Sequence, residues 1–254
     1  MNNSSRSVVC QVTLYEQKEE HASGFPTEKI RLINADSSMT PDSGASTGSR
    51  QTYMSGQALF KAIESMNRTM EENNVYTFDH LMQRGLPVKY RGIKIQDTTA
   101  ADPETLQGNP YETWGVAAEM AEVEVDIREG KVRLLKMTAV GDAGTLINPQ
   151  AVEGQFEGGM MMGAGMALKE LYVHNESLNF GKYRIPDFSD YFEMEVILNQ
   201  TYRRKGPFGA TGVGEVVMLP APPAIANAVF NACGVRVFDL PITKDKILRG
   251  MKKT

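Results

Sequence analysis

Glu215 closes the run Gly209-Ala210-Thr211-Gly212-Val213-Gly214-Glu215, and the apolar stretch Val216 to Pro223, with three prolines, follows it. Glycine lets a backbone approach a neighbour closely and turn where other residues cannot. A lone carboxylate between such a loop and an apolar wall is expected to be desolvated, which raises its pKa and suits it to take a proton near neutral pH. The run therefore has the pattern of a general base. It also suits a Gly-rich turn edged by a solvated acid, and at this level both readings stand. Metal-free hydrolysis through Glu215 is the weaker chemistry, because no nucleophile has a His partner at a fitting spacing. His21, His80 and His174 lie in polar contexts and read as surface residues.

The elements that must position this loop alternate between helix and strand. Val8 to Ala22 reads as a helix stopped by Gly24-Phe25-Pro26, and Lys29 to Ile33 alternates like a strand. Asp36 to Gln51 is a Ser/Thr/Gly loop, and Tyr53 to Met70 follows as a helix with Leu59, Ile63 and Met66 at helical spacing. Residues 71–113 show only short pieces such as Ile93-Lys94-Ile95 between polar turns. Ala121 to Ile127 puts Val123, Val125 and Ile127 on one face, Arg128 to Lys131 turns, and Val132 to Val140 returns as the second strand of a hairpin. Asn148-Pro149 opens a helix over Ala151 to Leu171, whose glycines 154, 158, 159, 163 and 165 are poor helix formers and allow close packing. Ala221 to Cys233 is the last long helix, entered through Pro222-Pro223 and capped by Gly234.

Composition narrows the function classes. The 254 residues are 41% hydrophobic with net charge -4, enough for a core and no case for a nucleic-acid or membrane surface. No apolar run reaches transmembrane length, and no signal-peptide core follows Met1. Cys10 and Cys233 have no metal or redox spacing and read as small buried apolar groups, so a cytoplasmic location is expected. Without a linker or repeat, residues 1–254 read as a single domain.

The glutamate run, together with Pro220-Ala221-Pro222-Pro223-Ala224-Ile225-Ala226-Asn227-Ala228, resembles the C-terminal signature of the molybdenum hydroxylases, the xanthine dehydrogenase and aldehyde oxidoreductase family. Three further segments fall in that family's order. Asn34-Ala35-Asp36, Pro41 to Gly44 and Thr47-Gly48-Ser49-Arg50-Gln51-Thr52 resemble its cofactor-binding loop. Asp142-Ala143-Gly144, Ile147-Asn148-Pro149 and Gly154-Gln155-Phe156-Glu157-Gly158-Gly159 resemble its central segment, and Tyr183-Arg184-Ile185-Pro186 the segment before the glutamate loop. The likeness runs from about Pro26 to about Leu248.

The resemblance implies an α+β fold of mixed sheets and packed helices that binds a molybdenum–molybdopterin cofactor, of which the cytosine dinucleotide form is one version. It implies Thr47, Gly48, Ser49 and Arg50 as cofactor-binding residues, Gln155 as a hydrogen-bond donor beside the metal's ligands, and Glu215 as the base. Molybdenum is then held by the pterin, with no direct protein ligand. Hydroxyls, close backbone N–H groups and a guanidinium in the 47–50 loop suit an anionic cofactor. The implied reaction hydroxylates a C–H carbon of an aldehyde or N-heterocycle, a small-molecule substrate, with water as the oxygen source.

Two departures stand in the glutamate loop: Thr211 where the family commonly has Lys, and Val216 where it has Pro. At the start, Met1 to Val9 occupies the place of another Gly-rich cofactor loop and has no Gly, so residues 1–25 form an atypical, truncated beginning. The chain is expected to be the C-terminal part of the catalytic subunit, inactive when isolated. Its expected partners are the N-terminal half, an iron–sulfur subunit and an FAD subunit, since no iron–sulfur or flavin motif is present. The alternative is a noncatalytic remnant that folds and binds no cofactor. An apolar surface is expected around Met160-Met161-Met162 and the 209–220 loop, for a partner to cover.

Overall fold

The computed structural model describes residues 6–7, 30–33, 36, 38, 40 and 44–252. The helix expected over Val8 to Ala22 lies outside these residues. Contacts divide the chain into two compact units built from interleaved segments. One comprises Met1–Trp114 with Gly144–Asn148 and Gln200–Gly212, the other Gly115–Ala143, Pro149–Asn199 and Val213–Thr254. Because the chain passes between them repeatedly, no single stretch of sequence carries a linker signature.

The first unit is organised by a long helix. β1 (Arg6–Ser7) pairs antiparallel with β2 (Lys94–Ile95). α1 (Gln51–Asn73) buries Met54, Ala58, Ile63 and Met70 at helical spacing. It ends at Asn74, which takes the left-handed conformation that Asn tolerates at a helix terminus. The short α2 (Phe78–Gln83), capped by the Thr77 hydroxyl, folds back so that Leu81 joins Met70 and Val75 in a small core. Gly92 lets the chain cross α1 closely, since a Cβ there would stand 1.8 Å from the Ala58 carbonyl oxygen. The segment 200–212 is fixed to α1 by the Gln57 amide donating to the Lys205 carbonyl and by the edge-to-face contact of Phe60 with Phe208, centroids 5.6 Å apart.

The second unit is a three-stranded sheet with helices on one face. β3 (Val116–Asp126) and β4 (Lys131–Asp142) form the expected hairpin, with alternating burial and a register shift after Glu122. β3 starts five residues before the expected Ala121, and Ile127 falls in the turn, exposed. α3 (Pro149–Leu168) follows. It stops short of Leu171 because the Glu170 N–H reaches back five residues to the Gly165 carbonyl, which already takes the helical bond from Lys169. After α4 (Phe180–Tyr183), β5 (Glu193–Asn199) returns parallel to β4. No strand is expected there from the sequence.

α5 (Ala221–Cys233) has the expected bounds, and Gly234 ends it with a left-handed cap whose N–H reaches the Phe230 carbonyl. α6 (Lys244–Met251) closes on the hairpin turn, where a Cβ on Gly130 would lie 2.7 Å from the Lys244 carbonyl oxygen. Phe156 and Met160 of α3, Ile225 and Val229 of α5, and Met137 and Ala139 of β4 are all buried in the core, where α5 packs on β3 and on α3. The strand expected at Lys29 to Ile33 is not formed: Ile30 to Ile33 carry no regular structure. The α+β class stands.

Candidate functional site

The loop before α1 is shaped by left-handed backbone. Gly44, Gly48 and Ser49 have φ of 69°, 67° and 54°, and the helix begins two residues later at Gln51. For Ser49, a residue with a Cβ, this conformation costs about 1–2 kcal/mol, a strain that the surrounding contacts must offset. Arg50 Nε donates to the Ala45 carbonyl at 3.0 Å, and the Ser46 hydroxyl to Gln51 Oε1 at 2.7 Å. Thr47 and Gly48 are exposed, Ser49 and Arg50 half-buried.

Arg50 occupies the N-cap of α1 without a side-chain cap, and the first turn holds no acid. A 23-residue helix presents its positive dipole end here. Such a terminus beside hydroxyls and a guanidinium attracts an anion and suits a phosphate-bearing cofactor.

The glycine run is fastened to this loop. A Cβ on Gly212 would stand 1.9 Å from the Ser49 carbonyl oxygen, so no other residue fits. Gly209 accepts from Thr145 N at 2.9 Å, and Ala210 bridges Gly144. Thr211 is buried, with its hydroxyl 3.2 Å from that of Thr113. The short hydroxyl thus fills the place where the family commonly has Lys with a closed polar pair.

A second cluster, one that sequence reasoning missed, holds the first turn of α1. Glu112 pairs with Lys94 at 2.8 Å, accepts from the Asp97 N–H, and receives the Tyr53 hydroxyl. Burial and the Glu112 carboxylate push the Tyr53 hydroxyl up. Burial also acts to raise Glu112, but hydrogen bonds from Lys94, Asp97 and Tyr53 outweigh it and hold the carboxyl below the usual range. Scattered over positions 53, 94 and 112, these residues leave no motif.

In the second unit Glu215 sits on a turn clamped between two glycines. Val216 packs on Gly115, where a Cβ would lie 3.0 Å from its own, and the Val217 carbonyl oxygen lies 2.3 Å from where a Cβ on Gly159 would be. Gly163 likewise admits Ala221, 2.3 Å from an added Cβ. Val216 and Val217 are thereby turned inward, onto Gly115 and onto α3. The expectation that they desolvate the carboxylate is corrected: the Glu215 side chain is exposed in this chain.

Gln155, also exposed, stands on α3 one turn before Gly159, about 6 Å along the axis. The helix cannot rotate, because Phe156 lies where any side chain on Gly141 would be, 1.8 Å from its Cβ position. The structure thus places Thr47 to Arg50 with Gly212 in one unit, and Gln155 with the Glu215 turn in the other.

Glu119 is the other residue missed. It lies on the helix-facing side of β3 opposite Ala139, both carboxyl oxygens buried and without a hydrogen-bond partner among the described residues. Burial pushes its carboxyl up to about 7. Extending the alternation back from Val123 through Ala121 would have found it. Among the described residues no three His, Cys, Asp or Glu side chains converge on a metal site, and no helix is long and apolar enough to cross a membrane.

Comparisons with known proteins bear on this geometry. The chain is 34% identical over 236 residues to an aldehyde oxidoreductase of Megalodesulfovibrio gigas, covering 90% of this chain and 26% of that protein. It is 31% identical over 257 residues to the aldehyde oxidoreductase molybdenum-binding subunit PaoC of Escherichia coli (strain K12), covering 93% and 34%. Among solved structures, the aldehyde oxidoreductase from Desulfovibrio gigas superposes with a TM-score of 0.87 at 32% identity, over 95% of this chain and 27% of that one. The chain therefore spans about a quarter to a third of the length of these relatives. The model of the molybdopterin cofactor-binding domain matches residues 6–192, which hold the 47–50 loop and Gln155 and end before the glutamate run. With that match over most of its length, the chain belongs to the molybdopterin cofactor-binding domain family of the molybdenum hydroxylases.

Proposed function

We propose that this chain is the C-terminal part of the catalytic molybdopterin-binding subunit of a xanthine dehydrogenase/aldehyde oxidase-type hydroxylase. The observation that carries the reading is the main-chain contact of Gly212 with Ser49, which ties the glutamate run to the cofactor loop. In this reading Thr47, the backbone of Gly48 and Ser49, Arg50 and the start of α1 hold the cofactor's anionic groups. Gln155, on α3 of the other unit, is the hydrogen-bond donor to the ligands of the metal. When bound, the molybdenum cofactor supplies the oxidation of a C–H carbon of an aldehyde or N-heterocycle, with water as the oxygen source. Glu215 takes the proton of the attacking oxygen; the clamp of Val216 and Val217 on Gly115 and Gly159 sets where its carboxylate stands.

The remaining part of the subunit covers the site, excludes water and restores the environment in which Glu215 is a base. Iron–sulfur and FAD groups sit on partner chains in the cytoplasm, and the cytosine dinucleotide is one form of the cofactor that the 47–50 loop accommodates. The test is reconstitution with the remainder of the subunit and the electron-transfer chains. Stoichiometric molybdenum and oxidation of an aldehyde or heterocycle by the complex, but not by the isolated chain, is the expected result. A complete complex without molybdenum would identify the chain as a noncatalytic remnant.

A further inference from the structure

The segment between α3 and β5 gathers several large exposed apolar side chains within twenty residues. Tyr172, Leu178, Phe180 and Tyr191 are each about two thirds exposed or more, Ile185 is 43% exposed, and Phe188 is fully exposed. Aromatic side chains carry about 150–250 Å² each. Together with Leu178 and Ile185, this puts on the order of 800 Å² in water, one side of a standard interface and more than the roughly 300–600 Å² of the largest patch on an ordinary monomer.

The face is also held rigid. Asp187 Oδ1 accepts from Ser189 N at 2.8 Å and from Ser189 Oγ at 2.6 Å. Asp187 N donates to Asp190 Oδ2 at 2.8 Å, which closes a capping box around Phe188. Lys169 bridges Asp190 and Asp187 from the end of α3. Leu171 N bonds the Tyr183 carbonyl at 3.2 Å, and the Ser177 hydroxyl the Leu171 carbonyl at 3.0 Å, drawing the two halves of the segment together. A fully exposed aromatic on a fixed turn loses little entropy when it enters a pocket, the property of an interface anchor.

We propose that this face seats the remainder of the molybdopterin-binding subunit, with Phe188 as its anchor. The inference rests on the function proposed above and names the surface on which that remainder docks. The occupant follows from length and area: the relatives carry about two thirds or more of their chain outside the matched part. A partner of that size covers a face of this area with the apolar, closely packed contact of parts that share one polypeptide in the relatives.

The test co-expresses this chain with the M. gigas aldehyde oxidoreductase from which the matched segment has been removed, and measures the affinity of the two. The expected result is a one-to-one complex that Phe188→Ser weakens by about 30-fold or more, the loss that defines an interface hot spot. Tyr76→Ser, a change at an exposed aromatic of the other unit, leaves it intact. The Phe188→Ser chain alone should melt at the wild-type temperature, because its side chain touches water only. Failure of the wild-type chain to bind, or equal binding by Phe188→Ser, overturns the proposal. So does concentration-dependent self-association that Phe188→Ser abolishes, which would assign the face to a second copy. Molybdenum in the purified complex is read separately: a tight complex without it sinks the proposed function and leaves the docking surface standing.

Discussion

Gly212 lies against Ser49 so closely that a Cβ on it would stand 1.9 Å from the Ser49 carbonyl oxygen. The oxygen belongs to the main chain and a Cβ is fixed to its own backbone, so neither can swing aside as the far end of a side chain would. The contact is also made by a residue already held in a left-handed conformation. Gly212→Ala should therefore destabilise the chain by about 1–3 kcal/mol or more, as overpacking does, and lower molybdenum retention in the reconstituted complex. Gly48→Ala, with φ of 67° but open space around it, should cost only the conformational strain, about 1–2 kcal/mol. Urea unfolding of both variants checks the order; equal losses would remove the argument for a fixed contact.

Two neighbouring glycines on α3 should respond in opposite directions. Gly158 has nothing within 4 Å of an added Cβ, while Gly159 meets the Val217 carbonyl oxygen at 2.3 Å. Gly158→Ala should stabilise the isolated chain by about 0.5–1 kcal/mol through helix propensity. Gly159→Ala should destabilise it and displace the Glu215 turn. Thermal melts of the pair give the signs directly.

Glu119 makes stability depend on pH. Its folded carboxyl is pushed up to about 7 from an ordinary 4.5, so the folded chain holds a proton that the unfolded chain has released between those values. The sign follows: the stabilisation is fully present below about pH 4.5 and is lost as pH rises through about 7. Taken whole, the difference is about 3 kcal/mol; partial solvent screening brings it to about 1–2 kcal/mol. Glu119→Gln should match the wild type at pH 4.5 and exceed it by that amount at pH 8. Parallel denaturation curves at the two pH values test this, and an unchanged pH slope in the variant would exclude Glu119 as the cause.

In the assembled enzyme Glu215→Gln should keep assembly and molybdenum content and lower turnover by about 10²–10⁴-fold, the contribution of a positioned base. The loss should appear in kcat and kcat/KM together, because the proton moves in the transition state. Gln155→Ala should lower molybdenum content as well as rate. Turnover within about threefold of wild type in a fully loaded Glu215→Gln complex would end the assignment.

What could be read from the sequence was what is local. Val123 and Val125 alternate, Pro222-Pro223 and Gly234 bracket α5, and Leu59, Ile63 and Met66 repeat at helical spacing; each forms the element it predicts. β5 escaped because a parallel partner over fifty residues away sets its pairing, and only its own short alternation marks it. The Met run misled in detail: Met160 is fully buried, while Met162 is 60% exposed, since helical rotation separates them. Leu219, 63% exposed, does meet the expectation for the glutamate loop. The family motifs named the candidate site, and the alternation back from Val123 reaches Glu119, but the Tyr53–Glu112–Lys94 cluster depends on packing that no spacing encodes.

The interleaving of the two units has a consequence for how the protein is made. The β3–β4 hairpin can form as soon as it leaves the ribosome, being local in sequence. Its buried face nevertheless waits for Ile225 and Val229, and its turn for Lys244, all from the last fifth of the chain. The first unit waits in the same way for Gln200–Gly212. Neither unit can close before these late segments have emerged, so until then the nascent chain carries its apolar strands and α3 uncovered. It is thus a protein for chaperones to hold, and one that truncation before α6 should deliver to degradation rather than to a smaller folded fragment.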